Sequence, residues 1–307
     1  MHAFDHLIAL ANLRGVLDLH CQLQGDWSLD HPLLPAGLAS YHLILQGECR
    51  LELPGLPPQQ LRTGDIVLLP RSLVHVLAAG ASGRQPRSAL RRVEQAGRIT
   101  QLRSGGAGGL TMLCGRIQYT PNATLLAALP EVMVINAGAA ASRERLDAVI
   151  TLMRLEAEGE QLANQSVVDG LSVILFTLVL RHFCAQQQEL PGILALLQDK
   201  RLAKVALALL NDLSHEWTVE QMAAIASMSR ANFVRAFSTA AAMAPAAWLT
   251  QLRLERAQKM LQQSAISIAE IAAAVGYPTL SSFSRVFRQQ MGEAPMQYRR
   301  RLDAQAV

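Results

Sequence analysis

Three sets of side chains in this 307-residue chain carry usable chemistry. The first is a pair of polar clusters near the C-terminus: Arg230, Asn232 and Arg235, then Ser281, Ser284, Arg285 and Arg288. Small polar groups interspersed with arginine suit a helix in the major groove of duplex DNA, where a guanidinium can bridge guanine O6 and N7. The second set is four cysteines, Cys21, Cys49, Cys114 and Cys184. A thiolate attacks an oxidant to give a sulfenic acid, and a second thiol close in the fold resolves it to a disulfide. Cys21 follows His20 and precedes an exposed-looking turn, whereas Cys49 on a strand and Cys184 on an apolar helix read as small buried hydrophobes. The third set is His42 and His75. Two imidazoles fall short of a metal centre, which usually has three or more protein ligands, so both read as hydrogen-bonded strand residues.

Composition limits what these groups can belong to. Half of the residues are hydrophobic and 17% are charged, so the chain can bury a sizeable core and is not disordered. Its length suits two domains. Four cysteines in this length exclude a disulfide-stapled secreted scaffold. The N-terminus lacks the basic start and unbroken apolar core of a signal peptide. The most apolar run, Leu171 to Leu180, reads as about ten residues, roughly half of a membrane-spanning helix. The expectation is a soluble cytoplasmic protein with no membrane partner. Charge is unevenly spread: residues 196–307 hold 13 Lys and Arg against 8 Asp and Glu, whereas residues 1–195 hold 15 against 16. A basic part beside a near-neutral one points to a polyanion partner for the former.

The pattern of elements gives an α+β, two-domain class. Residues 1–138 read as short strands such as Tyr41-His-Leu-Ile-Leu, Cys49-Arg-Leu-Glu-Leu and Asp65-Ile-Val-Leu-Leu, separated by Pro and Gly turns. That spacing predicts a small barrel or sandwich. Residues 139–190 turn helical, ending in a polar linker, and 196–304 are helical throughout. The stretch from Gly80 to Gly109 carries Arg84, Arg87, Arg91, Arg92, Arg98 and Arg103 and ends in a Gly-rich run. It reads as a mobile surface excursion between two strands in preference to a basic arm that touches nucleic acid. The apolar helix Leu171 to Phe183 has hydrophobic residues around much of its surface, which predicts a homodimer formed through the N-terminal part.

The C-terminal region repeats itself. Thr218-Val-Glu-Gln-Met-Ala-Ala-Ile-Ala-Ser matches Ser267-Ile-Ala-Glu-Ile-Ala-Ala-Ala-Val-Gly, and each opens on a capping box. Asn232-Phe-Val-Arg-Ala-Phe matches Ser282-Phe-Ser-Arg-Val-Phe, and Ala244-Pro-Ala-Ala-Trp matches Ala294-Pro-Met-Gln-Tyr. The natural reading is two helix–turn–helix units with Phe233/Phe237 and Phe283/Phe287 as core stripes. Between them, residues 246–263 form one amphipathic helix of about 27 Å, long enough to set two reading helices near one DNA turn apart.

At Ile268-Ala-Glu-Ile-Ala-Ala-Ala-Val-Gly-Tyr277, Ser282-Phe-Ser-Arg-Val-Phe-Arg288 and Pro295-Met-Gln-Tyr-Arg299 the chain resembles AraC/XylS-type transcription regulators. That resemblance implies base-facing positions at Ala231, Val234 and Arg235 in the first unit and at Leu280, Ser281, Ser284 and Arg285 in the second. Ala231 and Val234 can read only thymine methyls or shape, so the first unit holds fewer hydrogen-bonding contacts. Ala242 stands where many relatives have glycine. The implied partners are double-stranded promoter DNA and RNA polymerase, with activation or repression left open.

Gly64-Asp-Ile-Val-Leu-Leu-Pro70-Arg-Ser-Leu-Val-His75 resembles the second cupin motif, with Ser72 in place of its glycine. A metal-dependent cupin also needs a His-x-His pair and a glutamate; here Ile44 takes the second histidine's place and Glu48 is loosely positioned. The expectation is a non-enzymatic domain without a cofactor. Together with Cys21-Gln-Leu-Gln-Gly-Asp-Trp27, His42, Gln46-Gly47, Val67-Leu-Leu-Pro70 and Cys114-Gly115, the region resembles the cupin-type sensor of RclR-like AraC regulators, which respond to reactive chlorine. That resemblance implies Cys21 as the reactive thiol and Cys114 as its partner. The rival within the class is a small organic effector bound in the barrel. A metal-dependent cupin enzyme fused to DNA-binding helices is the alternative from another class.

Overall fold

Alternating apolar residues set the first half of the chain into strands, and the helical spacing that follows folds the second half into short packed helices. The computed structural model describes residues 2–80, 91–93, 99–104, 109–136, 143–159, 162–263 and 266–305. Two compact units result: a sheet unit of residues 13–119 and 129–188, and a helical unit of residues 1–12, 120–128 and 189–307.

The sheet unit holds two sheets. The larger runs β11 (Met133–Asn136), β6 (Asp65–Leu69), β3 (Leu38–Gln46), β10 (Leu110–Gln118), β1 (Arg14–Leu23), β9 (Thr100–Ser104) and β8 (Arg91–Val93). The smaller runs β2 (Trp27–His31), β7 (His75–Ala79), β4 (Glu48–Glu52) and β5 (Gln59–Arg62). Among the described residues the sheets do not close into a continuous barrel; they pack their inner faces on a shared core that includes Leu23, Trp27, Leu51, Leu61, Leu77 and Met112. At Asp18 the pairing of β1 with β10 slips by one residue, and Arg116 grips that carboxylate with Nε at 2.7 Å.

Helices α3 (Arg143–Glu158) and α4 (Asn164–Gln186) cover this unit, α4 lying on β1. Two glycines let α4 approach. A Cβ on Gly15 would fall 2.4 Å from the Asp169 carbonyl oxygen, and one on Gly115 would fall 2.4 Å from the Tyr41 ring. Tyr41 therefore lies across β10 and donates its phenolic hydrogen to Ser172 Oγ at 2.7 Å, while Ser172 donates to the Val168 carbonyl. The apolar run taken from the sequence as about ten residues belongs to a helix of 23 residues, long and apolar enough by length and composition to cross a bilayer. On one side it buries Val168, Leu171, Leu175, Phe176 and Val179 in this unit.

The Arg-rich stretch is corrected in part. Arg84, Arg87 and Arg98 lie outside the described residues. β8 and β9 fall within the stretch, and β9 pairs parallel to β1 with Leu102 beside Cys21. What composition presented as an excursion therefore extends the larger sheet.

In the helical unit, segments that composition grouped with the strands pack among the C-terminal helices. These are α1 (Ala3–Ala11) and residues 120–128, which contain α2 (Thr124–Ala127). The remaining helices are α5 (Ala195–Gln198), α6 (Lys200–Asn211), α7 (Val219–Ile225), α8 (Arg230–Ala241), α9 (Pro245–Gln263), α10 (Ile268–Ala274), α11 (Leu280–Met291) and α12 (Pro295–Gln305). The helix α9 is the spine. Trp248 packs its ring, tilted, against Phe237 of the first repeat at 5.6 Å, and Leu254, Ala257 and Leu261 join Phe283 and Phe287 of the second.

The same helix ties down the early segments. The Asn12 side-chain amide donates to Gln262 Oε1 at 2.9 Å, and Lys259 Nζ donates to the Ala9 carbonyl at 2.6 Å. Gln251 donates to the Asn122 carbonyl at 3.1 Å, and the Thr124 backbone N–H donates to Glu255 Oε1 at 2.8 Å. Burial pushes the Glu255 carboxyl up to about 8, against the opposing pull of the Thr124 hydrogen bond.

Each repeat ends its second helix in the left-handed region, at Gly292 (φ 78°) and at Ala242 (φ 56°). Only Ala242, in the first repeat, has a Cβ there, which crowds the following carbonyl. Ala242→Gly is expected to stabilise the protein by about 0.5–1 kcal/mol, the relief of strain exceeding the added unfolded-state entropy. Denaturant midpoints of the two proteins check this.

Candidate functional site

The first candidate surface is built by capping. Thr218 and Gln221 exchange hydrogen bonds at 3.1 and 2.8 Å, and Ser267 and Glu270 do so at 3.2 and 2.8 Å, fixing where α7 and α10 begin. Ser229 and Thr279 then accept the N–H groups of Asn232 and Ser282, starting α8 and α11. Phe233 and Phe237, like Phe283 and Phe287, are wholly buried, so the opposite face of each second helix turns outward.

On α8 that face presents Arg230, Ala231, Asn232 and Arg235 to solvent, with Val234 half-buried. Two of its cations are engaged: Arg230 Nε pairs with Glu220 Oε1 at 2.8 Å, and Arg235 donates to Asn232 Oδ1 at 2.8 Å. On α11 the face presents Leu280, Ser281, Arg285 and Arg288, with Ser284 half-buried. Arg285 makes no ion pair or side-chain hydrogen bond among the described residues. Its guanidinium is thus the freer of the two repeat-related arginines to form a bidentate contact with a base. The spacer α9 has 19 residues, about 28 Å at 1.5 Å per residue.

The second candidate site lies between the two sheets. Leu19 stands opposite Cys114 on β10 and Cys21 opposite Met112, so the two cysteines are diagonal neighbours on one inner face. The neighbouring Cys21 thiol, with burial, holds the Cys114 thiol well above its ordinary range. Cys21 is 0% exposed and Cys114 3%. The turn that follows β1 is exposed at Gly25 and Asp26, as expected, but Cys21 itself is turned inward by alternation along β1. Cys49 is buried in the same core, and burial pushes its thiol up to about 12; burial likewise pushes Cys184 up to about 11.

His42 and His75 come together as inward-facing residues, with Nε2 atoms 2.8 Å apart. The structure adds a histidine that the sequence reading passed over. The ring of His31 stacks on His75 at 4.5 Å and lies 4.6 Å from that of His42. One signal for it was available: Trp27, Leu29 and His31 alternate along β2, so a buried Trp27 turns His31 inward as well. Burial lowers all three imidazoles. His31 falls to about 4 and His42 falls far below its ordinary range, each helped by its neighbouring rings. The cluster is therefore neutral near pH 7.

Comparison with known proteins extends this picture. Residues 2–185 match the Cupin family, and residues 222–301 match the Helix-turn-helix domain family. An uncharacterized HTH-type transcriptional regulator of Haemophilus influenzae is 36% identical over 98% of this chain and 99% of its own length. The HTH-type transcriptional regulator MtrA of Neisseria gonorrhoeae is 32% identical over 98% of both chains. The RCS-specific HTH-type transcriptional activator RclR of Escherichia coli is 29% identical over 98% of both.

The unengaged Arg285 gives a direct expectation. Arg285→Ala should weaken binding to a specific duplex by about 1–3 kcal/mol, with a smaller loss on random duplex. Titration of both duplexes at one salt concentration checks this; equal losses by a folded variant would make Arg285 a phosphate contact.

Proposed function

Since this chain belongs to the AraC family of DNA-binding transcription regulators, with a cupin domain before its helix–turn–helix domain, we propose that an oxidant switches its DNA binding by joining Cys21 to Cys114. One observation carries this reading. The two strands that bear these thiols run directly into the two early segments fastened to α9. β1 follows α1 and Asn12, and β10 leads into residues 120–128. The bonds from Asn12, Ala9, Asn122 and Thr124 all end on the helix that spaces the two reading helices.

The chemistry balances with hypochlorous acid as oxidant. One thiol attacks chlorine to give a sulfenyl chloride and water. The second thiol then displaces chloride, releasing a proton and leaving the disulfide. Burial of both thiols selects a small neutral oxidant and leaves the reduced pair quiet without it. Diagonal cross-strand neighbours lie about 7–8 Å apart, whereas relaxed disulfides span about 4.4–6.8 Å between Cα atoms. Closing the bond therefore pulls β1 against β10, and the pull reaches α9 through the chain itself.

In this reading the protein acts by binding rather than catalysis. It works in the cytoplasm with promoter DNA and RNA polymerase, in the activating sense that the name of its Escherichia coli relative carries. Both thiols lie in a cluster of buried apolar side chains between the sheets, a setting that favours oxidation by a small neutral reagent over a polar organic effector there. A homodimer forms through α3 and α4, which expose Leu152, Leu155, Val167 and Ile174.

Two expectations follow for the full chain. Peptide mapping after treatment with hypochlorous acid should show a Cys21–Cys114 cross-link, and Cys21→Ser should abolish the transcriptional response; an intact response in that variant would favour the effector reading. Sedimentation at micromolar concentration should find a dimer in the parent protein and a monomer in the Leu155→Arg/Ile174→Arg variant. A dimer that survives both charges would place the interface elsewhere.

A further inference from the structure

We propose that His31, His42 and Cys114 form a binding site for a thiophilic metal ion, Zn2+ or Cu+, between the two sheets, with His75 as the residue that orients His42. The inference does not depend on the oxidation chemistry above, and its test separates the two.

The strand register builds the site from two cross-strand pairs. His42 stands directly opposite Cys114 in the larger sheet, and His31 stands directly opposite His75 in the smaller one. Directly opposed residues of antiparallel strands share a face. The ligand atoms offered by His31, His42 and Cys114 all lie within 4.8 Å of one another. A small contraction brings such a set to the spacing that bonds of about 2.0–2.3 Å to one ion require.

Proton accounting assigns the nitrogens. The Leu73 carbonyl can only accept, so at 2.7 Å it fixes the hydrogen of His75 on Nδ1. A neutral His75 then has a lone pair on Nε2, and the 2.8 Å contact makes His42 Nε2 the donor to it. His42 Nδ1 is left with a lone pair, and it is a buried nitrogen with no hydrogen-bond partner. His31 Nε2 is buried and without a partner in the same way. These two atoms face no competing donor, and both rings are neutral, as ligation requires. A metal-bound histidine typically donates its other ring N–H to a fixed acceptor, and the chain from His42 to His75 to Leu73 supplies that support.

The donor set selects the ion. Two imidazoles and a thiolate suit Zn2+, with water as a fourth ligand, or Cu+ in a three-coordinate site; they do not suit Mg2+ or Ca2+, which take oxygen ligands. Binding releases one proton, that of the Cys114 thiol, and forms the metal–sulfur bond. Cys114 is thereby shared: an ion on its sulfur and a disulfide to Cys21 exclude one another.

The test uses the reduced full chain in metal-free buffer, titrated with Co2+ as an optical stand-in for Zn2+ and, separately, with Cu+ against a chelating competitor. One ion per chain and thiolate-to-cobalt charge-transfer absorption are expected. Cys114→Ser should abolish that absorption. His75→Ala should weaken binding by about 10–100-fold, and His31→Ala, which removes a ligand, by more. Cys21→Ser should bind metal normally while losing the disulfide, and His31→Ala should lose metal while keeping the disulfide. Preference for Co2+ and Zn2+ or for Cu+ names the ion. X-ray absorption of the loaded parent protein, independent of any variant's folding, should show a mixed nitrogen and sulfur shell. Failure to bind either ion, a shell without sulfur, or unchanged affinity in folded His31→Ala and Cys114→Ser would overturn the site.

Discussion

The register of β10 is the constraint on which the sheet unit depends. This strand pairs on one side with β1 and on the other with β3, so a single alignment sets Cys114 diagonal to Cys21 and opposite His42. A slip of one residue would turn Cys114 out of the core and bring Gly115 in. Gly115 itself resists that slip, because the space beside it is taken by Tyr41 on its way to Ser172 of α4. The placement of the thiols and the docking of the covering helix are thus fixed together.

The two candidate sites differ in how they hold polar groups. On the helical unit the outward polar side chains of α8 and α11 lie in water on helices fixed by capping bonds, so their energies are small and their availability to a partner is high. Between the sheets the reverse holds. Burial keeps the histidines neutral, the neighbouring Cys21 together with burial keeps the Cys114 thiol protonated, and each unpaired nitrogen there persists against the cost of desolvation. A surface of the first kind suits reversible recognition of many sites, whereas a cluster of the second kind suits a response to one reagent small enough to enter.

Sequence periodicity revealed most of the helical unit. The repeat of capping boxes and phenylalanine pairs is local information, and every element from α7 to α12 follows from it. The outward positions on α8 and α11 were readable for the same reason, since a buried i, i+4 stripe fixes the opposite face. The sheet cluster was only half readable. His42 and His75 stood out in their motif, but His31 joins them through the pairing of β2 with β7, a contact between residues 44 apart in the chain. Burial of Cys21 depended likewise on the smaller sheet packing over the inner face of its strand. Composition also misplaced the early segments, because a short helix such as α1 carries no mark of which unit it will join.

That misplacement has a consequence for how the protein is made. The helical unit combines residues 1–12, 120–128 and 189–307, so the chain passes between units four times. The partners of Asn12 and Ala9 are Gln262 and Lys259, which emerge from the ribosome some 250 residues later. During synthesis α1 must therefore wait, with Leu7 and Leu10 exposed, while the strands between complete their sheets. The unit nearest the C-terminus matures last and closes only when α9 has formed. A nascent chain stalled before that helix would carry finished sheets and an unsealed N-terminus open to chaperones and proteases.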